Sequence, residues 1–215
     1  MTDQSMKQAV LDELKWDPSI NSAHIGVTAR DGVVTMSGHV DSYAERWAAE
    51  KAAERVSGVR AVAEELEVHY PANMETGDDD IAKRAIQSIS WDVMVPNDKV
   101  KIKVAKGFVT LTGELDYQYQ KEAVESGIRR LSGVTGIFNE ITIKPKVMPT
   151  DLKAKIKAAL VRNAQIDAEE IDVTTDGGNV TLRGGVDTYY ERVVAERVAW
   201  SAPGVTHVDD LLTVN

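Results

Sequence analysis

The chain has 215 residues, 43% of them hydrophobic and 27% charged, the balance of a globular protein rather than a disordered or fibrous one. Its formal net charge of -9 opposes general binding to nucleic acid, in which Lys and Arg displace counterions from phosphates, so no nucleic-acid partner is expected. It holds no cysteine, which excludes a disulfide framework, a thiolate nucleophile and a thiolate metal site.

The amino terminus, Met1-Thr2-Asp3-Gln4-Ser5-Met6-Lys7, is polar and lacks the apolar centre of a secretory signal. No apolar run approaches the roughly 20 residues that span a bilayer. The chain therefore reads as not transmembrane and, as written, cytoplasmic; the alternative is a periplasmic protein whose signal has been removed.

A first helix is predicted where Met6, Val10, Leu11 and Leu14 recur at three- and four-residue spacing, stopped by Asp17-Pro18. Ile81, Ala85, Ile86 and Ile89 repeat the stripe, and so do Leu152, Ile156, Lys157 and Leu160, with Lys157 as its one polar member. A strand follows each helix: Ile25-Val27-Ala29, Val100-Ile102-Val104 and Ile171-Val173-Thr175, alternate residues facing the core. Asp31-Gly32, Lys106-Gly107 and Gly177-Gly178 then turn the chain, glycine supplying the positive φ of a tight hairpin.

The second strand carries the clearest pattern. Gly32-Val33-Val34-Thr35-Met36-Ser37-Gly38-His39-Val40-Asp41 returns from Gly107 to Asp116 and again from Gly178 to Asp187, at separations of 75 and 71 positions (107 minus 32, 178 minus 107). One unit repeated three times is the direct reading. Gly38, Gly113 and Gly184 fall on the apolar face, where a close approach by a packed helix, or a bulge, is expected.

Asp41, Asp116 and Asp187 end the strand as helix caps or favoured anions, and a second helix starts with Ser42-x-x-Glu45, Tyr117-x-x-Gln120 and Thr188-x-x-Glu191. Small residues Ala48, Ala49, Ala52 and Ala53 bring it close to the sheet. Ser57-Gly58, Ser132-Gly133 and Pro203-Gly204 stop it, and a last strand runs through Val62, Leu66 and Val68 and their counterparts. Glu64, Asn139 and Asp210 interrupt its inward face, so each needs a hydrogen-bond partner, expected from loop backbone.

The fold class is thus α+β: three tandem αββαβ units, each a small three-stranded mixed sheet with two helices on one face. The units are placed at 1–70, 76–144 and 149–215, and the second linker, with Pro145 and Pro149, is expected to be the stiffer.

The hairpin glycine, the V-T-L-x-G strand, the Asp before the second helix and S-G-V-x-x-V before the last strand together resemble the BON domain, in three consecutive copies. Asn139 matches an Asn common in the family's last strand, whereas Glu64 and Asp210 depart from it. The resemblance implies a non-catalytic module tied to the bacterial envelope and osmotic stress, binding phospholipid surfaces. Chaperones, potassium-binding proteins and parts of envelope assemblies also occur among its members.

No catalytic signature accompanies these elements. His24, His39, His69 and His207 lie at non-equivalent positions and show no metal-ligand spacing, so they read as surface residues. No Walker loop, nucleophile elbow or dinucleotide fingerprint occurs, and no catalytic residue, cofactor or metal is expected.

Two binding patterns stand out. The first helix of unit three carries Lys153, Lys155, Lys157 and Arg162 against Asp151, a candidate contact for an anionic phospholipid surface. Aromatic residues gather at the start of each second helix: Tyr43 and Trp47, Tyr117 and Tyr119, Tyr189 and Tyr190, candidates for a protein partner. Trp16 and Trp91 read instead as structural. A peripheral lipid or envelope module, a stress scaffold or chaperone, and a potassium sensor are the three functions carried forward.

Overall fold

The computed structural model describes residues 1–71, 76–96, 98–144, 150–168 and 170–215. Unit one runs α1 (Asp3–Trp16), β1 (Ile25–Arg30), β2 (Val33–Val40), α2 (Tyr43–Glu54) and β3 (Ala61–Val68), with a 3-10 turn at Ser22–His24. Unit two runs α3 (Asp78–Trp91), β4 (Val100–Ala105), β5 (Phe108–Leu115), α4 (Gln118–Arg129) and β6 (Gly136–Ile143). Unit three runs α5 (Leu152–Arg162), β7 (Asp172–Asp176), β8 (Asn179–Val186), α6 (Tyr189–Trp200) and β9 (His207–Val214). The stiffness expected of the second linker concerns residues 145–149, which lie outside the described residues.

Each sheet is three-stranded, with an antiparallel hairpin followed by a parallel last strand, in the orders β1-β2-β3, β4-β5-β6 and β7-β8-β9. Both helices of a unit pack on the inward face of its sheet, so each unit closes its own core. In unit one Met6, Val10 and Leu14 meet Val34, Met36, Val40 and the small residues Ala49, Ala52 and Ala53. The fourth member of the helical stripe lies at its margin. Leu11 is half-buried, Ile86 is 62% exposed, and Lys157 turns outward to Asp172. A first helix needs only three inward residues to cover so short a sheet.

The hairpin turns have the expected left-handed backbone, and at two of them it extends to a residue with a side chain: φ is 51° at Asp31 and 54° at Lys106. Carboxylates at the starts of α1 and α3 hold these turns. Asp3 accepts from the Asp31 N–H at 3.0 Å, and Asp78 accepts from the N–H groups of Lys106 and Gly107 at 2.7 and 2.8 Å.

Three expectations are corrected. The strand glycines admit no helix: a side chain at Gly38, Gly113 or Gly184 would strike the carbonyl of His24, Lys99 or Glu170, the residue leading into the neighbouring strand, and φ there is 118°, 147° and 126°. The inward polar residues of the last strands find side chains of the second helix rather than loop backbone. Arg46 donates to Glu64 at 2.6 Å and Arg192 to Asp210 at 2.7 Å, while Asn139 donates to Glu125 at 3.0 Å. Each of the three also accepts an N–H from its own strand two residues on. A second helix thus reaches its sheet through one polar clasp as well as through its buried apolar side chains, alanines in α2 and Val124 and Ile128 in α4.

The aspartates after the second strands are not the caps either. Ser42 and Thr188 accept the N–H groups of Glu45 and Glu191, and Tyr117 stands at the corresponding N-cap of α4. Glu45, only 7% exposed, reaches back to accept from Asp41 and from Asn21, tying α2 to the turn before β1.

Candidate binding surfaces

The end of the first helix is built alike in all three units but decorated differently. After α1, Asp17 accepts the N–H and hydroxyl of Ser19 at 2.9 and 2.6 Å, and Ile20, 7% exposed, drops into the core. These bonds hold the Asp17 carboxyl below its ordinary range. After α3, Asp92 accepts the Met94 N–H at 2.9 Å and Val95 is the buried plug. After α5, Asn163 accepts the Gln165 N–H at 2.9 Å and Ile166 is half-buried.

This local turn forces the intervening residues outward. In unit one they are Pro18 and Ser19, in unit three Ala164 and Gln165, and in unit two Val93 and Met94. Val93 is 100% exposed, Met94 50%, and Trp91 beside them 77%. Trp16, its counterpart in unit one, is 84% exposed, so the structural reading of Trp16 and Trp91 is overturned. Neither ring is needed to fill a core that Leu14 and Ile89 already close. Unit two therefore ends one helix in a cluster of three uncovered apolar side chains.

The predicted cationic face of α5 is partly neutralised. Lys155 pairs with Asp151 and Lys157 with Asp172, both at 2.9 Å, and each pairing lowers the carboxylate's pKa. Lys153 lines a shallow groove with Thr150, Leu152, Thr175 and Gly177. Arg162 occupies the position in unit three that Trp16 and Trp91 hold in the others. The four cations do not form one uniform patch.

The aromatic residues divide into separate environments. Tyr43 packs against the core of unit two, where burial, and secondarily Glu125, raises its pKa. Trp47 lies under the Arg129 guanidinium, 3.9 Å from ring centroid to cation. Tyr117 and Tyr119 stack at 5.5 Å and stay 44% and 51% exposed. Tyr189 joins the core of its own unit, and Tyr190 accepts from Gln165 at 3.1 Å. Tyr43 and Trp47 are thus engaged in a contact within the chain, and the Tyr117–Tyr119 pair remains open.

A row of histidines is not legible in the sequence. His24 stacks on His39 at 4.4 Å, and His39 on His69 at 5.2 Å, because three non-equivalent positions meet at one end of the first sheet. Among the described residues no group of three or more His, Asp or Glu side chains is arranged to hold a metal ion. Among them, too, no helix is long and apolar enough to cross a membrane.

The BON domain model matches residues 2–70, 77–145 and 150–215, one match for each unit. The chain belongs to the BON domain family. Osmotically-inducible protein Y of Escherichia coli is 30% identical over 148 residues, covering 67% of this chain and 74% of the relative. The 21 kDa hemolysin of Actinobacillus pleuropneumoniae is 26% identical over 144 residues, 64% of this chain and 74% of that one. Among solved structures, the C-terminal domain of CdsD, a structural protein of the Type III secretion system of Chlamydia trachomatis, aligns over 100% of both chains at 13% identity. Its TM-score of 0.28 is too low to equate the two arrangements.

Proposed function

We propose that this BON protein is a non-catalytic, stress-associated module that docks peripherally on anionic phospholipid surfaces of the cell envelope, led by the end of α3. The observation that carries the reading is the uncovered cluster of Trp91, Val93 and Met94. A rigid turn holds Val93 and Met94 outward with Trp beside them, the combination that suits a membrane interface: aliphatic groups enter the acyl boundary and the indole rests at headgroup depth. Lys153 and Arg162 supply the secondary attraction to anionic headgroups, and Lys155 and Lys157 join it as their surface ion pairs exchange, since such pairs hold weakly.

The stress association is supported by the kinship with the osmotically inducible relative. Periplasmic residence accords better with an envelope role than the cytoplasmic alternative does, and fractionation of the natural host checks it.

Co-sedimentation with phosphatidylglycerol-containing vesicles tests the reading. Replacing Val93 and Met94 together with serine is expected to lower partitioning at least tenfold, given about 1.5–3 kcal/mol for fully burying one such side chain. Lys153→Glu with Arg162→Glu is expected to reduce binding to anionic vesicles and leave the small affinity for neutral ones unchanged. Unaltered partitioning of the serine variant would refute the proposed contact.

A further inference from the structure

The junctions between units differ at one seat. At the first junction Tyr70 leaves β3 and lays its ring on unit two, its hydroxyl donating to the Val134 carbonyl at 2.9 Å and more weakly to that of Leu131 at 3.4 Å. Burial in this seat raises the Tyr70 pKa, and the backbone of Tyr43 at the start of α2 and that of Gly133 draw it partly down. The seat is therefore a turn after a second helix, offering two carbonyls, closed from above by the start of the preceding unit's second helix.

The same surfaces meet at the second junction. Ala202, Gly204 and Val205 follow α6 as Leu131, Gly133 and Val134 follow α4. Their backbones match: Val134 donates to Leu131 at 3.4 Å and Val205 to Ala202 at 3.3 Å. Gln118 opens α4 as Tyr43 opens α2. Between these surfaces lies a cavity of about 240 Å³, with Tyr119 and Trp200 as further walls. The position that corresponds to Tyr70 in sequence is Pro145, which has no phenol to offer.

We propose that this cavity receives a tyrosine side chain from a partner protein, in a segment where basic residues flank the tyrosine. The first junction shows the occupant chemistry: a phenol fits this turn and satisfies its carbonyls. The volume, below the roughly 300 Å³ at which sites for drug-sized ligands begin, suits one side chain. The exposed Tyr117–Tyr119 stack continues from the cavity onto the surface, giving the flanking residues of a peptide a platform that a free phenol does not use. Glu122, which accepts from Gln118 at 3.4 Å, also lines the site and favours a cationic neighbour, while Asp116 beside it pairs with Lys99 at 3.5 Å. This site is separate from the apolar end of α3 and does not rest on the lipid reading.

Titration of the isotope-labelled full chain with the blocked peptide Gly-Lys-Tyr-Lys-Gly, followed by amide NMR, tests the proposal. Saturable shifts are expected at Gln118, Gly204 and Val205, with the phenylalanine peptide binding roughly fivefold more weakly for want of one hydrogen bond. Tyr119→Ala, at an exposed position, is expected to weaken the tyrosine peptide while leaving the spectrum of the free protein folded. Equal binding of the phenylalanine peptide, p-cresol binding as tightly as the peptide, or the absence of saturable shifts at millimolar peptide would each overturn it.

Discussion

Glu50 shows how a single residue sets a pH dependence. It lies on α2, and burial pushes its carboxyl up from the ordinary 4.5; Lys51 draws it down, while Glu54 and Glu64 raise it further. A carboxyl that holds its proton more tightly when folded than when unfolded makes the protein less stable as pH rises from its unfolded value through its folded one. Glu50→Gln is therefore predicted to be more stable than the parent at pH 7, with the gap closing below pH 4.5, as measured by urea denaturation at both. A variant less stable at pH 7 would show that Lys51 and Arg46 outweigh desolvation. At this scale the sequence is legible in type but not in partner. An inward Glu64 demands a hydrogen bond, yet Arg46 sits 18 positions earlier on another element, and no periodicity links the two. The exposed Trp16 and Trp91 defeat a structural reading for a related reason: adjacency to a buried stripe does not say whether the core has room left.

The elements themselves are the most legible part. Alternation in Val34-Thr35-Met36 and a glycine hairpin dictate β2, and the same residues recur in β5 and β8, so the αββαβ order follows from local chemistry. The strand glycines are legible as a close approach but not in what approaches, because a residue's neighbours depend on strand register, which sequence alone leaves open. With that register known, Gly113→Ala faces both a φ of 147° and the Lys99 carbonyl. Chemical denaturation is expected to show a loss of about 1–3 kcal/mol, the usual magnitude for backbone held in a sparsely populated region. A loss within a few tenths would mean that β4 shifts freely away from β5. The turns after α1, α3 and α5 share one Asx-type design, and only their outward residues vary, which is why the candidate lipid contact lies where the copies differ.

At the scale of the whole molecule, the first two units are joined by more than their linker. Tyr43 enters the second core, Arg129 covers Trp47, and Tyr70 binds the turn after α4. None of this is legible in the sequence, since contacts between positions 61 or more apart leave no repeating signal when the copies do not share the residue. Tyr70→Phe keeps the ring and strands the Val134 carbonyl, so a loss of about 1 kcal/mol in the unfolding of the first two units is predicted; an unchanged urea midpoint would deny the junction its role. The membrane reading also belongs to this scale, because it requires the end of α3 to project clear of the neighbouring units. The most direct test is tryptophan fluorescence with phosphatidylglycerol vesicles carrying bromine-labelled acyl chains. The native chain is predicted to shift its emission to the blue and lose intensity, and Trp91→Phe to abolish most of that quenching; quenching that persists undiminished in Trp91→Phe, or no response from the native chain at low salt, would contradict the account.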